Sequence, residues 1–306
     1  MILPEQIPFV LEYIQNIKLP NDITSIQEQG RAFYELFTPL AGTKQDVHQI
    51  QDLTITTHGT TIPIRIYKPI ANDSSPVIIF FHGGWFNAGS LNTHDTPLRQ
   101  FANLTQATII SVDYKLAPEH PFPAGLHDAE YATAWIINNA KTLNINPHHI
   151  TIAGDSAGAA IATTVTRKFR TQVCAQLLIY PVTDNSLTTS SWQEYKHGPL
   201  LNLEEAIIAW DWYLPTVTDK KNQDAIPLLA NDLTNLPPTF IAIAEFDPLK
   251  DEAILYADKL RTYNVSTKLN LYPNTIHGFF QMGAYFDQTN TLMQDMTAFL
   301  QQNKAL

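Results

Sequence analysis

The sequence predicts an α/β protein: a mostly parallel sheet of eight strands, flanked by helices on both faces and overlaid by a helical cap. Two features of the 306-residue chain predict it. Short apolar runs alternate with amphipathic stretches from about residue 47 onward, the rhythm of strand–helix–strand units. Several of those runs, Val77–Phe81 and Thr239–Ala244 among them, are apolar at successive positions, as strands covered on both faces must be.

The elements follow in order. Within residues 1–46, Ile7, Val10, Leu11 and Ile14 recur at helix spacing, and so do Ala32, Phe33, Leu36 and Phe37; this predicts an N-terminal helical segment apart from the sheet. Residues 47–306 are predicted as one domain. Its strands are Leu53–Thr57 and Ile62–Tyr67, joined by a His58-Gly59 turn, then Val77–Phe81, Thr108–Val112, Ile150–Ala153, Leu177–Ile179, Thr239–Ala244 and Lys268–Tyr272. Thr96–Thr105, Leu126–Asn139 and Leu249–Tyr263 are the helical stretches between them. The rhythm breaks at about 187–227, where no strand pattern occurs but Glu204–Tyr213 has helical spacing and carries Trp210, Trp212 and Tyr213. This insertion is expected to join the N-terminal helices as the cap.

Composition narrows the function. An apolar share of 44% and a charged share of 16% are those of a folded globular protein. Nineteen basic against 29 acidic side chains give a net charge of −10, which argues against binding nucleic acid or an anionic lipid surface. The single cysteine, Cys174, cannot form an internal disulfide, and its neighbours Val173, Ala175 and Leu177 suggest a buried thiol. The first residues show no basic region followed by an apolar run, and no stretch approaches the ~18 apolar residues of a membrane span. A cytoplasmic protein without a membrane anchor is expected.

The chemistry is concentrated in Gly154-Asp155-Ser156-Ala157-Gly158. A short apolar strand runs into G-x-S-x-G, and a run rich in small residues follows at helix spacing. Such a strand–turn–helix makes a turn sharp enough to expose the Ser156 hydroxyl, with the helix N-terminus and the Ala157 amide directed at any developing oxyanion. A serine that merely caps a helix would also fit the pentapeptide alone. Upstream, His82-Gly83-Gly84-Trp85 follows the strand Val77–Phe81, where the second set of oxyanion donors belongs. His82 is expected to hold that loop. Of the two histidines after Ser156, His197 falls in the predicted insertion and His277 lies on a loop past the last strand, so His277 is the candidate base. Asp247 follows the strand Thr239–Ala244 directly and is the candidate acid, with Glu245 and Asp251 as weaker rivals. Asp247-Pro248 would also make a good helix start. The adjacent pair His148-His149 has poor spacing for metal ligands and suggests a solvated turn.

Taken together, HGGWFNAGSLNTHD (82–95), DYKLAPEHPFPA (113–124), GDSAG (154–158), YPVTD (180–184), LPPTFIAIAEFDPLKDEAILYADKL (236–260) and IHGF (276–279) resemble the bacterial branch of the hormone-sensitive lipase family of esterases. The resemblance runs from about Leu53 to Phe280. It implies the α/β-hydrolase fold, a Ser156–Asp247–His277 triad, and an oxyanion hole made by the amides of Gly83, Gly84 and Ala157. It further implies hydrolysis of small carboxylic esters with short or medium acyl chains, no cofactor or metal, a helical cap, and frequent homodimers. The chain departs from the family pattern twice, with Trp85 for the usual third glycine and Lys115 for the usual arginine. Trp85, Phe33, Phe37, Trp210 and Tyr213 are the candidate pocket residues. Amide or thioester cleavage on the same triad is one alternative. The other is a non-catalytic binding protein of the same fold.

Overall fold

The computed structural model describes residues 4–20, 22, 23, 25–71 and 74–306. The first residues of the predicted N-terminal segment therefore lie outside the described part. Eight strands form one sheet: β1 Gln49–Thr57, β2 Thr60–Lys68, β3 Ser75–Phe81, β4 Thr108–Val112, β5 Ile145–Asp155, β6 Ala175–Ile179, β7 Thr239–Phe246 and β8 Thr267–Ile276. Each contains the strand expected from the sequence. The helices are α1 Gln6–Gln15, α2 Ile26–Glu35, α3 Asp95–Thr105, α4 Ala124–Asn138, α5 Ala140–Leu143, α6 Ala157–Lys168, α7 Ser190–Glu194, α8 Leu203–Tyr213, α9 Lys250–Thr262 and α10 Gln288–Gln302.

The strand order is β1-β2-β4-β3-β5-β6-β7-β8. β1 and β2 are antiparallel to their neighbours, and every pair from β4 to β8 is parallel. Because side chains alternate across a strand, β3 sends Ile79 and Phe81 to one face and Ile78 and Phe80 to the other. Leu126 and Ile136 of α4, Val165 of α6 and Tyr256 of α9 pack on the first face. Phe101 of α3 and Phe299 of α10 cover the second. Burial on both faces explains the unbroken apolar runs.

The order in which strands are added across the sheet reverses at β3, which pairs with β4 on one side and with β5 on the other. In parallel sheets a crevice opens beyond the strand ends at such a switch point. Phe81 pairs with Gly154 there, so the segments leaving β3 and β5 emerge side by side. His148 and His149 lie within β5, in the irregular stretch between its paired residues Ile145 and Ile150, rather than in a turn. Cys174 is half-buried rather than buried, its thiol donating to the His148 carbonyl at 2.9 Å. Among the described residues, no helix is long and apolar enough to cross a membrane.

Candidate active site

Four strand ends supply the site. β5 ends at Asp155 and α6 starts at Ala157, which leaves Ser156 alone to make the turn, at φ 52° and ψ −120°. That left-handed conformation is costly for a residue with a side chain, by roughly 1–3 kcal/mol, and persists only where the surroundings enforce it. Here the Ser156 amide donates to the Ile179 carbonyl at 2.8 Å, and its carbonyl accepts from Val182 at 3.2 Å. Gly158 is required for close packing rather than for its own dihedrals. A Cβ there would stand 2.1 Å from the Phe81 carbonyl oxygen, so only glycine lets the first turn of α6 rest against the end of β3.

His277 follows β8 and Asp247 follows β7. His277 Nε2 lies 2.9 Å from Ser156 Oγ, and His277 Nδ1 lies 2.8 Å from Asp247 Oδ2. All three side chains are buried. Asp247 uses its other oxygen to accept the Leu249 amide at 2.8 Å, while the helix itself begins at Lys250. The carboxylate thus caps a turn ahead of α9 and faces the imidazole at once. The rivals are engaged elsewhere: Glu245 accepts the Asn274 amide at 2.7 Å and Asp251 the Ser191 amide at 2.8 Å. The Tyr180 ring, with its centroid 4.6 Å from that of His277, supports the imidazole from the side. His197 forms an isolated bridge with Asn202 in the insertion, away from this group.

The loop after β3 corrects one expectation. The Gly83 amide donates to Asp155 Oδ1 at 2.7 Å, so it is not free to meet an oxyanion. The amides of Gly84 and Trp85 have no such acceptor among the described residues. Trp85 adopts φ 51°, in the region that favours glycine, which is the physical reason a glycine suits this position. His82 holds the loop from behind, as expected. Its Nδ1 is 2.9 Å from the Gly83 carbonyl, its ring stacks on Tyr114 at 4.5 Å, and its own carbonyl accepts the Tyr114 hydroxyl at 2.6 Å. Burial, and next the neighbouring His94, lower the His82 imidazole to about 4, so it is neutral at ordinary pH. Lys115 binds Asp128 at 2.9 Å and reaches Thr60 as well, spanning β2 and α4.

A cavity of about 450 Å³ opens over Ser156 and His277, within the usual range for small-molecule sites. Phe33 of α2, Phe37, Trp85, Ile208 and Trp212 of α8 and Met282 line it. Trp210 and Tyr213 do not, which corrects a second expectation. On α8 the residues facing the cavity are Glu205, Ile208, Ala209 and Trp212, and the opposite stripe turns Trp210 and Tyr213 into the core. Tyr213 stacks on Phe86 at 3.8 Å, and Trp210 meets the Trp85 ring edge-on at 6.4 Å, so the two back the wall instead of forming it. Two other hollows, beside Tyr13 and beside Asn222, contain no serine or cysteine.

Sequence reasoning missed Asp155, His94, Tyr34 and Gln281. Tyr34 donates to Gln281 Oε1 at 2.6 Å and Gln281 to the Thr93 carbonyl at 3.1 Å, which fastens α2 to the floor of the cavity. Residues 78–281 match the model of the α/β hydrolase fold family, which is two thirds of the chain. This chain belongs to that family. Carboxylesterase NlhH of Mycobacterium tuberculosis is 38% identical over 241 residues, covering 76% of this chain and 75% of that protein. Ethyl acetate hydrolase of Pseudomonas putida is 32% identical over 294 residues, 93% of this chain and 92% of its own. The hyperthermophilic esterase of Pyrobaculum calidifontis superposes with a TM-score of 0.90 at 32% identity, with 100% of both chains covered. Within the family the chain falls in the hormone-sensitive-lipase-like branch, and it is a serine carboxylic ester hydrolase.

Proposed function

We propose that Ser156, His277 and Asp247 carry out the hydrolysis, with Ser156 as nucleophile, His277 as general base and Asp247 as its orienting acid. The contact of His277 with both partners, at 2.9 and 2.8 Å on the floor of an apolar cavity, carries this reading. With Asp247 accepting the Nδ1–H, Nε2 is left to take the Ser156 proton as the hydroxyl attacks the ester carbonyl. The carbonyl oxygen then becomes an oxyanion within reach of the Ala157, Gly84 and Trp85 amides, each such donor typically worth about 3 kcal/mol in the transition state. His277 returns the proton to the leaving alcohol, and water enters by the same steps to release the acid.

α1, α2 and the insertion carrying α8 act as the cap. Its aromatic wall favours acyl chains up to about six carbons, because each accommodated methylene adds up to ~0.8 kcal/mol only until the cavity is full. A homodimer in the cytoplasm fits the family pattern. Rates across p-nitrophenyl acetate to palmitate test the size preference, and light scattering tests the dimer. A preference for palmitate would overturn the closed-pocket reading while leaving the triad in place.

A further inference from the structure

The Asp155 carboxylate stands between the nucleophile and the oxyanion loop, yet hydrolysis as outlined above gives it no task. It is completely enclosed. Oδ1 accepts the Gly83 amide at 2.7 Å and lies 2.9 Å from His94 Nε2, and Oδ2 accepts the Tyr180 hydroxyl at 3.4 Å. No lysine or arginine touches it among the described residues. The fit against Gly83 is close: a Cβ on that residue would stand 2.6 Å from Asp155 Oδ2. His94 is equally enclosed at the start of α3, with Nδ1 2.9 Å from Thr93 Oγ1 and its ring tilted against Phe80. The His94 Nε2 contact is one of proximity, because the ring N–H is not well aligned with Oδ1.

A buried carboxylate with neither a cation nor enough donors is costly, and a protein avoids that cost by pairing it or by protonating it. His94 supplies the missing partner. Burial pushes the Asp155 carboxyl up, but the neighbouring His94 and the Gly83 amide outweigh it and hold the carboxyl below its ordinary value. The carboxylate belongs to the last residue of β5 and precedes Ser156 by one residue, whereas the amide it binds leads directly into Gly84 and Trp85. One hydrogen bond therefore joins the nucleophile's strand to the donors' loop. Without it, the Gly83-Gly84 peptide planes are free to rotate, as glycine permits.

We propose that Asp155 and His94 form a positioning pair for the oxyanion loop. Asp155 sets the spacing between the Ser156 hydroxyl and the Gly84 and Trp85 amides by holding the Gly83 amide, and His94, 2.9 Å from the same oxygen, holds that carboxylate in place. The pair touches no substrate and acts only through the loop. This rests on the hydrolytic role assigned to Ser156.

Asp155→Asn and His94→Gln test it, with p-nitrophenyl acetate as substrate and a trifluoromethyl ketone whose hemiketal oxyanion occupies the hole. Asp155→Asn is expected to lower kcat on the order of 10²-fold with KM within about 3-fold, and to raise the ketone Ki by the same factor as kcat/KM falls. His94→Gln is expected to do the same at about 10-fold, and it decides alone if Asp155→Asn does not fold. Loss of kcat with an unmoved ketone Ki, tracking only a lowered Tm, would reduce the pair to a structural role and overturn the proposal. Unchanged kcat in both variants would overturn it as well. Failure of the serine mechanism shows separately, as activity retained by Ser156→Ala with Asp155 intact.

Discussion

The floor and the roof of the cavity are held in different ways. The floor consists of strand ends whose polar side chains are linked one to the next: Ser156 with His277, His277 with Asp247, Asp247 with the Leu249 amide, and Asp155 with the Gly83 amide. The roof consists of α2 and α8, short helices whose cavity-facing residues are partly open to solvent, with Ile26 exposed by 62% and Ile208 by 45%. The floor is held by the strands of the sheet, whereas the roof is fastened at a few points, such as Tyr34 to Gln281 and Arg31 to the Asn87 and Ala117 carbonyls. Chemistry should therefore be lost by changing single atoms in the floor, and selectivity should be altered by changing volume in the wall.

The largest effect is expected from Ser156→Ala, with p-nitrophenyl acetate hydrolysis down ~10⁴-fold or more and the fold retained. The backbone bonds of residue 156 that hold the turn do not involve the hydroxyl, so the circular dichroism melt should be near that of the parent. A variant that turned over at the parental rate would break the contrast at once.

Asp247→Asn comes next. An asparagine can still accept the Leu249 amide through its side-chain oxygen, so the turn before α9 should persist and Tm should move little. The imidazole, however, loses its charged partner, and kcat should fall by roughly 10³–10⁴-fold. The opposite result, a lowered Tm with intact kcat, would leave Asp247 only its turn-capping task.

Trp85→Gly sharpens the contrast from the side of the wall. Glycine suits φ 51° and keeps the backbone amide, so turnover of acetate esters should survive within about 10-fold. The lost indole enlarges the cavity next to Trp192 and Trp210, whose rings lie 6.4 Å from it. The chain-length optimum should move to longer esters. An unchanged acetate-to-palmitate profile would mean that Trp85 supports the core and does not limit the substrate.

The same contrast explains what the sequence could reveal. All eight strands and the three side chains that meet at His277 were legible, because apolar runs and G-x-S-x-G are local patterns and chain order singles out His277. The commitment of Gly83 was not, since its acceptor is 72 residues away and depends on the register that sets Phe81 beside Gly154. Nor could periodicity choose between Trp210 and Trp212, as both faces of α8 are aromatic and only the packing partner says which is the wall. α10 was not expected, although Leu292, Met296 and Phe299 recur at helix spacing and face the core.

Glu252 gives the smallest expected effect and lies at the seam between the two regions. It belongs to the first turn of α9, which follows the Asp247 turn, and its Oε1 accepts the amides of Thr183 and Asp184, just ahead of the insertion. Oε2 accepts the Trp192 indole N–H at 3.1 Å, and that ring in turn meets Trp85. Burial pushes the Glu252 carboxyl up to about 8, against the pull of these three donors. A carboxyl raised on folding binds its proton in the folded state over a range in which the unfolded chain has released it. Stability therefore falls as pH rises from about 4.5 towards 8 and is not reduced further above that, with a slope of at most ~1.4 kcal/mol per pH unit. Glu252→Gln cannot titrate and keeps one oxygen acceptor, so its Tm should vary less than that of the parent between pH 5.5 and 8, with kcat on acetate esters nearly unchanged. Taking the difference between parent and variant removes the contribution of every other group, including Asp113, which burial raises to about 6. If the two proteins lose stability in parallel across that range, the Glu252 carboxyl stays ionised in the fold and its three N–H donors outweigh its burial.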